Sequence, residues 1–93
     1  MKWYLYILEC QDEALYVGIT ENLKRRFKEH QEGKGGHYTK YCKPQKIIYF
    51  EECASKTLAE KREKQIKRWS RVKKLALINK DLIALRKLSK SRD

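Results

Sequence analysis

The chain has 93 residues, of which 41% are hydrophobic and 38% charged, a size that suits one small domain and excludes two. No apolar run approaches the ~20 residues of a membrane-spanning helix, and charged residues follow Met1 too soon for a signal peptide, so we expect a soluble, cytoplasmic protein. The net charge of +11 falls almost wholly after residue 55, which favours a polyanionic partner, most often nucleic acid, over a merely solvated surface.

The first third of the chain predicts a β-hairpin that runs into a helix. Trp3–Cys10 is rich in aromatic and β-branched residues, and after a short polar turn the segment Leu15–Thr20 has the pattern of a return strand. Helical periodicity extends from residue 21 to about residue 31, with Thr20 or Asn22 available as the N-cap.

The remainder predicts a loop, a third strand and three helices. The segment "EGKGGHYTKYCKP" contains three of the four glycines and the only proline, so it predicts a loop. The apolar run "IIYF" within Lys46–Glu52 is typical of a central strand that is covered on both faces. Ser55 can cap a helix that ends near Trp69, Ser70 can begin another, and Asp81–Leu88 has the pattern of a last helix.

Three cysteines, Cys10, Cys42 and Cys53, are odd in number and lack metal-type spacing. Their pattern therefore predicts reduced thiols.

The first helix places one arginine differently from its neighbours. At about 100° per residue, Leu23 and Phe27 set the buried direction, and Arg26 and His30 fall on the same side. A charge in this position is unfavourable unless it meets a partner. The alternative is a guanidinium that extends past the edge of the core to water or to a carboxylate.

The second long helix singles out one glutamate by the same geometry. Its apolar arc is formed by Leu58, Ala59, Ile66 and Trp69. Glu63 lies at the border of this arc, where it can stand at the rim of a pocket, whereas Glu60 points away. The alternative for Glu63 is a surface salt bridge with Lys67 at i+4. Arg62 falls inside the arc, and the sequence offers no partner for it.

Tyrosines are concentrated in the two hairpin strands. Tyr4 and Tyr6 share one face of the first strand, and Tyr16 and Gly18 share one face of the second. For Tyr6 and Tyr16 to face the same way, the connecting loop must have an odd number of residues or contain a bulge. Strand tyrosines are commonly half-buried packing residues, which is the alternative to a catalytic role.

These residues together resemble the GIY-YIG nuclease superfamily. The matching segments are "YLYIL", "YVG" and "NLKRRF", and the similarity is greatest to small single-domain, UPF0213-like members, through "LYVGIT", "GKGGHYT" and "REKQIKRW". The resemblance implies an α+β fold in which helices flank a three-stranded antiparallel sheet. We expect a single nuclease domain over residues 1–88 and a disordered tail over 89–93.

The resemblance also implies roles for individual residues. Tyr6 and Tyr16 match the two motif tyrosines, Arg26 the arginine of the first helix, and Glu63 the glutamate that binds Mg²⁺ or Mn²⁺. His30 matches a site-lining position. Nucleic-acid contacts are expected from eight further residues: Gly18, Thr20, Lys34, Tyr38, Thr39, Lys67, Arg68 and Arg71. Ile19 departs from the lysine of many members, and Asn79 is a candidate for the terminal asparagine of some relatives.

The implied activity is metal-dependent endonucleolytic hydrolysis of DNA, in repair or recombination. RNA or branched nucleic acid are the other expected substrates. The expected assembly is a monomer or a weak homodimer. A free tyrosine has a pKa of about 10, so activity that uses Tyr6 or Tyr16 as the base should rise with pH. The alternative is a non-catalytic nucleic-acid-binding module that keeps the fold. A helical RNA-binding protein is less favoured, because it leaves the tyrosine strands unexplained.

Overall fold

The computed structural model describes residues 2–33 and 43–90, with side chains to residue 87. Its strands are β1 (Trp3–Cys10), β2 (Leu15–Thr20) and β3 (Pro44–Cys53), and its helices are α1 (Leu23–Gln31), α2 (Lys56–Lys67), α3 (Arg71–Ile78) and α4 (Leu82–Lys90). The strands form one antiparallel sheet in the order β2-β1-β3. The predicted α+β fold, a three-stranded antiparallel sheet flanked by helices, is therefore confirmed.

The central strand of this sheet is β1, not β3. Leu5, Tyr6, Ile7 and Leu8 are completely buried because β1 pairs with a strand on each side. Phe50 in β3 is 57% exposed, so the prediction of a central strand for the "IIYF" run was wrong. An apolar run indicates that both faces are largely apolar, but strand order is set by pairing between distant segments, which periodicity does not report.

The hairpin between β1 and β2 has the odd loop that the tyrosines require. The Glu13 N–H donates to the Cys10 carbonyl at 2.9 Å, and the Cys10 N–H donates to the Ala14 carbonyl at 2.9 Å. Residues 11–13 form the loop, and Glu13 has a left-handed φ of 68°, as in three-residue hairpins that end in a residue of this conformation. Tyr6 consequently pairs with Gly18, and Leu8 with Tyr16, so both tyrosines lie on one face.

The two faces of the sheet have different coverings. One face carries the hydrophobic core, in which Leu5, Ile7 and Val17 pack with Ile66 of α2 and Leu77 of α3. The other, here called the tyrosine face, carries Tyr4, Tyr6 and Tyr16 and is approached by α1. The tyrosine side chains of β1 and β2 thus lie on the face opposite the hydrophobic core.

Helix α2 packs through a narrower arc than predicted. Ala59 and Ile66 are buried, but Leu58 is 50% exposed, so its assignment to the apolar arc was wrong. Leu58 lies about 80° from Ile66 around the helix, so it falls outside the buried arc that Ala59 and Ile66 define.

Arg62, for which the sequence offered no partner, is held by a carboxylate of β3. Its Nε and Nη2 donate to the two oxygens of Glu51, each at 2.9 Å, and the Tyr49 hydroxyl donates to the same carboxylate at 2.5 Å. Its guanidinium also lies 5.3 Å from the ring centre of Trp69. A bidentate charged hydrogen bond of this kind fixes geometry as well as charge, so it ties α2 to β3.

The predicted starts of α1, α2 and α3 are confirmed by side-chain N-caps. Asn22 caps α1 by accepting from the Arg25 N–H at 3.0 Å, and Ser55 and Ser70 cap α2 and α3 in the same way at 3.2 Å. Asn79 is the C-cap residue of α3. Within the described residues, no helix is both long and apolar enough to span a membrane.

The cysteines differ from the expectation of reduced thiols. Cys10, at the buried end of β1, is disulfide-bonded, whereas Cys53 is a free thiol. Sequence spacing does not report which side chains meet in space, and the prediction was wrong for Cys10.

Candidate active site

Tyr6 is the centre of a hydrogen-bonded cluster between β1 and α1. Its hydroxyl oxygen lies 2.6 Å from His30 Nε2, and Arg26 Nε donates to it at 3.4 Å. Because a guanidinium is only a donor, the Tyr6 oxygen accepts from Arg26, and the tautomer of His30 sets the direction of the second hydrogen bond. The helical geometry that placed Arg26 and His30 on one side of α1 thus brings both to the same phenol.

Burial fixes the protonation states of this cluster. It raises the pKa of Tyr6 to about 12, with Arg26 acting in the opposite sense and the charges of Tyr16 and Glu63 adding to the rise. Burial, with the positive charge of Arg26, lowers the pKa of His30 to about 4. At neutral pH Tyr6 therefore keeps its proton and His30 is uncharged, so the expected histidine is a hydrogen-bond partner rather than a cation.

Stability should depend on pH through His30. Because its pKa is lower in the folded chain than the ordinary 6.5 of an unfolded one, the unfolded state binds more protons between these values. We expect the free energy of unfolding to be fully retained above about pH 6.5 and to fall, by up to about 1.4 kcal/mol per pH unit, as the pH drops toward about 4. Urea unfolding across this range measures the slope. His30→Gln should flatten it, and an equal slope in the two proteins would contradict the assignment.

Tyr16 is the more accessible of the two tyrosines. Its ring centre lies 6.4 Å from that of Tyr6 and 5.1 Å from that of His30. Unlike Tyr6, which has no exposed surface, Tyr16 is half-buried. The predicted pair therefore divides into a buried tyrosine that organises the cluster and a partly exposed one that a substrate can reach.

The fourth predicted site residue, Glu63, lies on α2. Its side chain is 23% exposed and forms the i,i+4 salt bridge with Lys67 at 3.3 Å, while its negative charge contributes to the raised pKa of Tyr6. The salt bridge, which the sequence offered as the alternative for Glu63, is therefore observed. Glu60 on the same helix is exposed.

Arg26 remains partly open beside these groups. Its side chain is 29% exposed, and Nη1 lies 3.4 Å from a Glu29 oxygen. Burial lowers the pKa of Arg26, but the hydrogen bonds to Tyr6 and Glu29 and the charge of Tyr16 outweigh it and raise the pKa. Glu29 was not predicted in the site, although its i,i+3 spacing from Arg26 was a usable signal.

Gly18 and Thr20, both expected at a nucleic-acid interface, are buried and used internally. A Cβ on Gly18 would lie 2.6 Å from the Tyr6 hydroxyl oxygen and 2.7 Å from its Cζ. The Thr20 hydroxyl donates to the Asn22 carbonyl and accepts from the Asn22 N–H, each at 3.1 Å. Their observed contacts support the site: Gly18 leaves room for the tip of the Tyr6 ring, and Thr20 shapes the turn into α1.

Gly18→Ala is therefore expected to destabilise the fold by about 1–3 kcal/mol, the typical cost of forcing a side chain into packed space. The new methyl group must displace the Tyr6 ring, which is completely buried. Thermal unfolding measures the loss of stability. Gly33→Ala is not a suitable control, because Gly33 has a left-handed φ of 78°. The double variant Gly18→Ala/Tyr6→Leu removes the obstructing ring, and failure to recover part of the loss would argue against the steric explanation.

The expected nucleic-acid contacts on α2 and α3 are at the surface. Lys67, Arg68 and Arg71 are exposed, and Arg71 Nη1 donates to the Glu13 carbonyl of the hairpin loop at 2.6 Å. Arg68 also lines a cavity of about 440 Å³ with Lys61, Lys64, Gln65 and Trp69. Lys34, Tyr38 and Thr39 lie outside the described residues.

The residues present fit a metal ion held by one carboxylate. Among the described residues, no group of three or more His, Cys, Asp or Glu side chains is arranged to bind a metal. Magnesium is commonly bound through one or two carboxylates together with waters and substrate phosphates. Glu63, whose side chain is 23% exposed and whose charge contributes to the raised pKa of Tyr6, is the carboxylate that would provide such a ligand.

Comparison with known proteins places the chain in a family. Residues 2–76 match the model of the GIY-YIG catalytic domain, and the chain belongs to the GIY-YIG family. It is 47% identical to a UPF0213 protein of Clostridium perfringens over 76 residues, 82% of each chain. It is also 47% identical to one of Syntrophus aciditrophicus over 81 residues, 86% of this chain and 93% of the relative.

A solved structure agrees with the fold. The solution NMR structure of the UPF0213 protein BH0048 from Bacillus halodurans is 39% identical to the chain, with a TM-score of 0.55, and the similarity covers 85% of this chain and 84% of the other. The predicted resemblance to small GIY-YIG proteins is confirmed by these matches.

Proposed function

We propose that the protein is a metal-dependent endonuclease that hydrolyses phosphodiester bonds, with DNA as its substrate. The observation that carries the proposal is the meeting of Arg26 and His30 at the Tyr6 hydroxyl, within the electrostatic influence of Glu63. These groups come from three separate elements, β1, α1 and α2. Membership of a family defined by a catalytic domain supports a nuclease over an unrelated nucleic-acid-binding protein.

In the proposed mechanism the partly exposed Arg26 binds a phosphate oxygen at the scissile bond and stabilises the charge that develops there. Tyr16 orients the attacking water and, as the phenolate, accepts its proton. Tyr6 is unsuited to that role because burial raises its pKa to about 12. Its neutral hydroxyl instead fixes Arg26 in place.

Glu63 would hold Mg²⁺ or Mn²⁺, which when bound supplies positive charge against a phosphate oxygen and the leaving oxygen. The salt bridge from Lys67 to Glu63 would orient the carboxylate before the ion binds. Lys67, Arg68 and Arg71 would add phosphate contacts that do not read sequence.

Ile19 stands where many family members have a lysine, and it packs against the core. His30 does not replace the missing positive charge, because its pKa of about 4 leaves it neutral. The isoleucine at this position, in place of a lysine, favours the second candidate, a nucleic-acid-binding module without turnover.

Incubation of labelled DNA with the purified protein tests the proposal. Cleavage should require added Mg²⁺ or Mn²⁺, stop with a chelator and resume when excess metal is restored. Binding measured in the chelator should weaken with salt, with a slope near −0.9 per phosphate contact on duplex DNA. Binding without cleavage under any metal condition would favour the second candidate, and a flat salt response would exclude both.

A further inference from the structure

A second feature of the tyrosine face is a groove between α1 and β3, here called the Phe50 groove. It has a volume of about 380 Å³ and is lined by Leu23, Lys24, Phe27, Gln45, Lys46, Ile47 and Phe50. Neither the catalytic proposal nor the sequence motifs use it.

The floor of the Phe50 groove is created by a β-bulge. Leu8 pairs with Ile47 and Ile7 with Tyr49, so Ile48 is an extra residue in β3. In a regular strand Ile47 and Phe50 would point to opposite faces. The bulge places both on the tyrosine face, where Phe50 pairs with Tyr6. Two apolar side chains are thereby brought to one surface at the edge strand.

Phe50 contacts another ring of the sheet and is nevertheless exposed. The ring of Tyr4 packs against it edge-on, with centres 6.1 Å apart and planes at 72°. Despite this contact, Phe50 remains 57% exposed. An aromatic ring that is fixed in a strand and open to solvent is the kind of platform on which nucleic-acid bases stack.

Among the described residues, the rim of the groove is positive. Lys24 and Lys46 are the only charged residues in this part of the lining, and both are exposed. The cavity around Trp3 and Arg26 differs, since it is lined by Glu21 and Glu29. An apolar floor with two cations, and with no carboxylate from the described ranges 2–33 and 43–90, suits a ligand that combines a flat apolar group with negative charge.

Resting on the proposed function, we propose that the Phe50 groove binds an unpaired nucleobase of the substrate, with Lys24 and Lys46 contacting the adjoining phosphates. A base inside a duplex is already stacked on both sides, so an exposed phenylalanine can take only an unpaired or terminal one. Leu23 and Phe27, which line the groove, lie on the same helix as Arg26. The preferred substrate is therefore nucleic acid with a single-stranded segment beside the cleaved bond.

Fluorescence anisotropy in a chelator tests this without cleavage. The probes are labelled oligothymidylate and a DNA hairpin duplex with the same number of phosphates. Phe50→Ala should weaken oligothymidylate binding at least about fivefold, the lower end of the loss when one base-stacking aromatic is removed, and change hairpin binding less than about twofold. Phe50→Tyr should retain binding. Leu82→Ala, which truncates a similarly exposed apolar residue on α4, is the matched control.

Two further experiments show whether the ligand of the Phe50 groove is a nucleobase. Oligothymidylate with 5-iodouracil at one position should crosslink to Phe27 or Phe50 under ultraviolet light, as mapped by mass spectrometry. Displacement of the probe by poly-glutamate as effectively as by unlabelled oligonucleotide would indicate a charge-only or acidic-peptide site and overturn the proposal. Equal losses for single strand and hairpin in Phe50→Ala would overturn it as well.

The same binding measurements on Glu63→Ala separate this inference from the proposed function. If Phe50→Ala weakens single-strand binding but the protein never cleaves DNA, the groove assignment stands and the nuclease proposal fails. If the protein cleaves DNA with metal but Phe50→Ala does not affect binding, the nuclease proposal stands and the groove assignment fails.

Discussion

Replacement of Glu63 by alanine is expected to lower the metal-dependent cleavage rate by about 10³-fold or more, since a bound metal ion contributes several kcal/mol of transition-state stabilisation. The charge of Glu63 contributes to the raised pKa of the buried Tyr6 hydroxyl. DNA binding in a chelator should be retained, because the change removes a negative charge from a basic surface. Single-turnover cleavage and anisotropy, measured on the same preparation, separate the two effects.

Glu60→Ala provides the matched control for this variant. It removes the same side chain from the same helix, one turn earlier, at an exposed position. Its cleavage rate should stay within about twofold of the unmodified protein, in keeping with the small effect of exposed charges. Normal turnover in Glu63→Ala would refute the metal assignment and redirect the search for the ligand.

Replacement of Arg26 by alanine is expected to reduce the cleavage rate by about 10²–10³-fold, the usual loss when one preorganised donor to a developing negative charge is removed. The loss should appear in kcat more than in KM, because the contact strengthens as the charge develops. Arg26→Lys should restore little, since a lysine does not reproduce the fork that bonds Tyr6 and Glu29 together.

Arg25→Ala separates this effect from a general loss of charge. Arg25 is adjacent in sequence and exposed, and it is Arg26 that bonds Tyr6. It should alter binding and its salt dependence but leave kcat nearly unchanged. If both arginine variants lost equal activity, Arg26 would act only as part of the basic surface.

Local geometry accounts for what the sequence could predict of the site. The 100° period of an α-helix placed Arg26 and His30 together, and it placed Glu63 at the margin of α2, because each comparison involves residues on a single helix. The parity of the hairpin loop similarly linked Tyr6 to Tyr16.

Features that depend on two distant segments were beyond such reasoning. The carboxylate that pairs with Arg62 comes from Glu51, on another element. The edge position of β3 and the bulge at Ile48 depend on how β1 pairs with it. The exposure of Leu58 depends on how α2 packs against other elements. None of these is encoded in the spacing of residues along one helix or strand.

The turn at residues 11–13 should make the candidate site sensitive to insertions and deletions of a kind that surface loops normally tolerate. Adding or deleting one amino acid there would exchange the two faces of β2. Tyr16 would then point into the hydrophobic core and Val17 onto the tyrosine face. A two-residue insertion would preserve the facing, so length variants of this turn should alternate between inactive and active with odd and even changes.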